Sequence, residues 1–208
     1  MDQQAAIKPD IEFETVDHSE QRSARRYSLL IRPAKLSSAH GELICVLRDV
    51  SRTGVSAKLF HKLPSGEQFT LELQNGHTYD MVKVWERDGE AGFEFANPVD
   101  VNALIAEASQ YPKRGLRLAL SFPVTVSAIS GAHMAYVENI SQQGARIECA
   151  GKLAIDQNIR IEGEGVRETR AKVRWRRGES YGVVFDDTFT LRDFAVLVAQ
   201  LQCPVLFD

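Results

Sequence analysis

Short apolar runs alternate with polar positions along most of this chain, and turn signals cut each run off. The β-branched and aliphatic residues at 29–36, 43–47, 55–59, 69–73, 79–85 and 92–95 predict six strands. Pro64-Ser65-Gly66 marks a loop, while Asn75-Gly76 and Asp88-Gly89 mark tight turns between alternating strands. Asn97-Pro98 ends this series, and Val101, Leu104, Ile105 and Ala108 fall at helical spacing, predicting a helix over 99–108. The same succession returns after Tyr111-Pro112, with strands expected at 118–127, 134–139, 145–148, 159–162, 168–175 and 181–185. A second helix should follow, with Thr190 as its N-cap, Asp193 in its first turn, and Phe194, Leu197, Val198 and Leu201 on one face. Many short strands at close spacing mean a small barrel or sandwich. Each helix would cover an open end or face of its own strand set, or touch the other copy.

The recurrence has a fixed offset. Asp49-Val50-Ser51-Arg52-Thr53-Gly54 aligns with Asn139-Ile140-Ser141-Gln142-Gln143-Gly144, 90 positions on. That offset also pairs Pro33 with Pro123, Trp85 with Trp175, Gly92 with Gly182 and Phe95 with Phe185. Two copies of this length make a duplicated domain and not a solenoid. The expected division is an acidic, flexible arm at 1–20, a first domain at 21–110 and a second at 111–208.

Composition narrows the choice. With 208 residues, 44% of them hydrophobic, the chain can bury two modest cores. A net charge of -3 argues against a general nucleic-acid binder. Cys45, Cys149 and Cys203 lie far apart and out of register with the repeat, which predicts buried reduced thiols and a cytoplasmic setting. The N-terminal segment is polar and no run reaches membrane-spanning length, so neither an export signal nor direct membrane insertion is expected. The five histidines sit singly and read as solvated, and Trp85 and Trp175 read as packing residues.

Arg22-Ser23-Ala24-Arg25-Arg26 lies just ahead of the first strand, and Asp49-x-Ser51-x-x-Gly54 follows about two dozen residues later. Taken singly, the arginines could be a solvated run, Asp49 and Ser51 a turn cap, and Gly54 a bulge. Together, in this order, they resemble the PilZ family, whose pattern is R-x-x-x-R, a variable gap, and [D/N]-x-S-x-x-G. The resemblance implies two tandem six-stranded β-barrels, each followed by a C-terminal α-helix, in a mainly β chain. It further implies that Arg22, Arg25, Arg26, Asp49, Ser51 and Gly54 bind cyclic di-GMP. The chemistry is compatible. Arginine forks match phosphate oxygens and the O6/N7 edge of guanine, a bidentate pair being worth about 1–3 kcal/mol of discrimination by analogy with DNA. Asp49 can accept from guanine N–H groups, and Ser51 can donate or accept.

The second copy keeps Asn139, Ser141 and Gly144, but at the strict offset its arginines become Pro112 and Leu116. A slip of one residue recovers Lys113-x-x-x-Arg117, in which lysine lacks the planar fork. Lys113, Arg117, Asn139, Ser141 and Gly144 are therefore a possible degenerate second site, and this copy reads better as a structural or partner-binding module. No metal-ligand cluster, phosphate-cradling loop or nucleophile elbow is visible, so neither an enzyme nor a cofactor is expected. The resulting expectation is a cyclic di-GMP receptor acting through its first domain on a downstream protein partner, with no nucleic acid involved. The alternative is a PilZ-like scaffold that binds protein and no nucleotide. The acids at 10–20 adjoin Arg22–Arg26 and read as a shield for those arginines.

Overall fold

The computed structural model describes residues 26–106 and 115–207. The arm at 1–20, Arg22, Arg25 and Lys113 lie outside the described residues.

The chain forms two closed six-stranded barrels. The first contains β1 (Tyr27–Ser38), β2 (Gly41–Val50), β3 (Gly54–Lys58), β4 (Gln68–Glu72), β5 (Thr78–Arg87) and β6 (Glu90–Phe95), followed by α1 (Val101–Ala106). Around the barrel the order is β1-β2-β3-β6-β5-β4, and every described pairing in it is antiparallel. The second contains β7 (Phe122–Ala128), β8 (Gly131–Ser141), β9 (Gly144–Cys149), β10 (Asn158–Gly163), β11 (Val166–Arg177) and β12 (Ser180–Phe185). Helix α2 (Leu191–Gln202) and a short 3-10 turn, Pro204–Phe207, close the chain. Closure removes the exposed strand edges that sets of this size would otherwise present.

Alternation explains each strand. In β6, Ala91, Phe93 and Phe95 point into the core while Glu94 points out, and β12 repeats this with Tyr181, Val183 and Phe185. Asp88 and Gly89 both have positive φ, 51° and 75°, as a two-residue type I′ hairpin requires. The predicted N-cap is present, with Thr190 Oγ1 accepting from Asp193 N at 3.1 Å.

Two expected elements start later than their apolar patterns. Helix α1 starts at Val101 because Val99 N is committed to the Arg52 carbonyl and the Asp100 carboxylate takes Asn102 N at 2.9 Å. Strand β7 starts at Phe122, with Leu118 contributing only an isolated bridge to Ile140. Between them, Ala119 N donates to Glu42 Oε2 of the first barrel at 2.7 Å, which draws this stretch out of its own ladder.

The barrels share their packing. Phe194, Leu197 and Val198 of α2 belong to the second core, whereas Ala199 belongs to the first. Ile44 of β2 and Phe60 reach the other way into the second core. All three cysteines are free and buried, and burial pushes the Cys45 thiol up to about 12. Among the described residues, no helix is long and apolar enough to cross a membrane, and no group of His, Cys, Asp and Glu could hold a metal ion.

Candidate functional site

The site grows out of the join between β2 and β3. Ser51 N donates to the Gly54 carbonyl at 2.8 Å, and Ser51 Oγ accepts from Gly54 N at 3.1 Å, so four residues close into a tight turn. Its middle carbonyls are also fixed: Phe95 N donates to Thr53 O and Val99 N to Arg52 O, each at 2.9 Å. Gly54 is required by close approach of backbone, because a Cβ there would sit 2.6 Å from the Phe93 carbonyl oxygen. Ser51 is buried, with its hydroxyl engaged inside the turn.

Asp49 faces outward beside this turn. Its Oδ1 accepts from Ser28 Oγ at 2.8 Å and its Oδ2 from Ser56 Oγ at 3.2 Å, while Ser56 Oγ accepts from Asp49 N. Both carboxylate oxygens are held in a fixed orientation while keeping lone pairs for a further donor. β1 pairs Tyr27 with Val50 and Ser28 with Asp49, so the exposed Arg26 arrives beside Ser51. Arg26, Asp49, Ser51 and Gly54 accordingly line one cavity of about 190 Å³, together with Ser56, Trp85, Gly92 and Glu94.

Trp85 corrects the sequence reading, which assigned it to packing. It is only half-buried and lines this cavity, and its repeat partner Trp175 is 43% exposed. The cause is a β-bulge. The β5–β6 register shifts between Lys83 and Trp85, turning the indole outward onto Gly92, where a Cβ would lie 2.0 Å from the indole Nε1. The guanidinium of Arg87 lies 5.3 Å from the Trp85 ring centroid. The second barrel repeats the device, with a register shift between Val173 and Trp175 and the latter ring over Gly182. A glycine directly opposite an aromatic across two strands is the signal that could have found it.

His61 is a second correction to the expectation of solvated histidines. Its Nε2 is buried without a hydrogen-bond partner, and its ring lies 6.0 Å from that of Phe207.

In the second barrel the strand register itself shows the one-residue slip. Tyr27 pairs with Val50 in the first barrel, whereas Leu118 pairs with Ile140 in the second. Arg117 is therefore the counterpart of Arg26. Its Nη1 donates to Asn139 Oδ1 at 2.7 Å, so two residues of the degenerate motif are in contact. Ser141 and Gly144 close the same turn as their counterparts, with Ser141 Oγ donating to Gly144 O at 3.0 Å. Ser56, which supports Asp49 in the first barrel, is replaced by Arg146, which is paired with Glu138.

Two closed barrels, each built around one repeated polar turn and a tryptophan resting on glycine, define a tandem small-barrel protein. The chain belongs to the PilZ domain family: the PilZ domain pattern matches residues 20–111 and again 107–202. Among solved structures, the chain is similar to PlzA of Borreliella burgdorferi in complex with c-di-GMP, at 10% identity and TM-score 0.36, over 86% of this chain and 93% of that one. It is similar to the Bacillus subtilis inhibitor of motility MotI/DgrA, at 13% identity and TM-score 0.35, over 86% and 99%. YcgR of Escherichia coli in complex with c-di-GMP matches at 13% identity and TM-score 0.29, over 84% and 82%. No curated protein matches the chain.

Proposed function

We propose that this protein is a non-enzymatic receptor for cyclic di-GMP, with the first barrel as the main binding domain. The observation that carries this reading is the convergence of Arg26, Asp49 and Trp85 on one cavity beside the Ser51–Gly54 turn. Asp49 offers fixed acceptors to a guanine edge, Trp85 offers an aromatic surface, and Arg26 with Arg22 and Arg25 supplies forks for phosphate and for guanine O6/N7. A cavity of about 190 Å³ is small beside the roughly 300–1,000 Å³ usual for ligand pockets. In this reading one base edge enters it, and the arginine segment closes over the rest of the dinucleotide.

The corresponding division of the chain is an arm at 1–20, a receptor domain at 21–110 and a second domain at 111–208 that acts mainly as a partner-binding module in the cytoplasm. The contact between Arg117 and Asn139 supports a weaker site in the second barrel, in which Lys113, Ser141 and Gly144 also take part. No metal or cofactor enters this mechanism. Calorimetric titration with cyclic di-GMP, with GTP as control, tests the proposal. Saturable binding that weakens at least tenfold in Arg26→Ala supports it. Absence of binding to the folded protein refutes it and leaves the protein-binding scaffold.

A further inference from the structure

Both barrels carry the same groove outside the ligand face, and only its chemistry differs. In the first barrel a groove of about 520 Å³ is lined by Ala39, Thr70, Asp80 and Ala96, among others. In the second, a groove of about 480 Å³ is lined at the corresponding positions by Ile129, Arg160, Arg170 and Asp186. The pairing of Thr70 with Asp80 across β4 and β5 includes a 2.9 Å hydrogen bond from Thr70 Oγ1 to the carboxylate. The equivalent pair across β10 and β11 is Arg160 opposite Arg170. Like charges directly opposite one another destabilise a sheet. Glu168 lies 3.7 Å from Arg160, an exposed pairing that offsets little of that repulsion.

The divergence continues along the strand. Residues 78–87 contain two acids and two bases, whereas residues 168–177 contain one acid and five bases. Outward-facing Val82 becomes Lys172 and Val84 becomes Arg174, while Ala171 is buried in the core as Met81 is in the first copy. The barrel fold is met equally well by the first copy's residues, so the basic groove serves another purpose. Ile129 at its rim is fully exposed, giving an apolar contact beside the two guanidiniums.

We infer that this groove is the seat of the chain's own acidic arm, with Phe13 against Ile129 and with Glu12 and Glu14 against Arg160 and Arg170. Residues 10–17 read Asp-Ile-Glu-Phe-Glu-Thr-Val-Asp, an alternation of acidic and apolar residues that matches the groove's mixed chemistry. The closed barrels leave no edge on which such a segment could add as a strand, so it binds a face. Reach is sufficient. The thirteen residue-to-residue steps from Phe13 to Arg26 span up to about 45 Å, and a compact unit of the described length has a radius of gyration of about 16 Å. This seat replaces the shielding of Arg22–Arg26 suggested by adjacency in sequence.

The test uses the full chain with the photo-crosslinking amino acid benzoylphenylalanine at position 13. Irradiation should join this position to residues 127–129, 158–160 or 168–172 of the same molecule, as read by peptide mass spectrometry. Arg160→Thr with Arg170→Asp installs the pair that the first barrel tolerates, so the fold should survive, as checked by circular dichroism. Crosslinking to the groove should fall at least fivefold in that variant. Capture in the first barrel beside Arg26, a product of twice the chain mass, or no crosslink would overturn the inference. Groove capture that the double variant leaves unchanged would overturn it as well.

Discussion

Gln202, at the end of α2, grips the backbone of Glu42 with both ends of its side-chain amide. Its Oε1 accepts from Glu42 N at 2.9 Å, and its Nε2 donates to Glu42 O at 2.6 Å. The Glu42 carboxylate completes the junction by taking Ala119 N at 2.7 Å and the buried Lys35 Nζ at 2.9 Å. Burial opposes the charge on Lys35, but Glu72 and Glu42 together outweigh it and raise its pKa, so the ammonium is fully charged at neutral pH. One residue of β2 thereby ties the first barrel to both the entry and the exit of the second.

Gln202→Ala removes both bonds and leaves the half-buried Glu42 amide and carbonyl short of partners. A stability loss of about 1–3 kcal/mol is expected, read from urea unfolding. A change within about 0.5 kcal/mol, the ordinary scatter of surface substitutions, would show that the amide pair contributes nothing to the junction.

The contact of Trp85 with Gly92 makes a separate prediction. Gly92→Ala places a methyl group 2.0 Å from the indole Nε1, so the ring must leave its seat. An overpacking cost of about 1–3 kcal/mol is expected. The displaced indole should change its fluorescence, and cyclic di-GMP affinity should fall. Gly182→Ala should displace Trp175 equally while leaving that affinity within twofold. Equal effects of the two variants on affinity would remove Trp85 from the site.

The legible part of this protein is what the repeat and the alternation carry. The succession of six strands and a helix in each copy, the Asp88-Gly89 turn and the Thr190 cap all follow from local chemistry. The orientation of Trp85 was hidden because a bulge at Val84 breaks the period of two that assigns faces. Ser51 reads as a ligand group in sequence, and its hydroxyl also closes the turn through bonds to Gly54 that no spacing distinguishes from ligand binding. The Gln202–Glu42 grip joins residues 160 positions apart, beyond any local pattern. The slip that makes Arg117 the counterpart of Arg26 was visible as an alignment option, and pairing across the strands selects it.

That slip separates the two sites experimentally. If the first barrel dominates, Arg26→Ala should weaken cyclic di-GMP binding at least tenfold, the loss of about 1.4 kcal/mol or more expected for an arginine fork. Arg117→Ala should change the main binding event less than twofold and abolish any weaker second event. Both outcomes are read from one calorimetric titration of each variant. A large loss of the main event in Arg117→Ala alone would move the principal site to the second barrel.

His61 links pH to the contact between the first barrel and the C-terminal turn. Burial lowers its pKa below the usual 6.5, and this outweighs the opposing pull of the Lys62 carbonyl, 2.6 Å from Nδ1, and of nearby Glu86. The unfolded chain therefore takes up the proton first as pH falls. Above about pH 6.5 both states are neutral and the group adds no pH dependence. Below it the unfolded state gains proton-binding free energy that the folded state lacks, and stability declines until the folded pKa is reached. One proton sets an upper bound of about 1.4 kcal/mol per pH unit on this slope. His61→Phe keeps a ring against Phe207 and removes the titrating nitrogen, so its urea-unfolding stability between pH 7.5 and 5.5 should fall less steeply than that of the parent. Lys35 does not confound the comparison, because its raised pKa loses stability only at alkaline pH. Identical slopes in the two proteins would mean that the buried imidazole reaches water before it titrates.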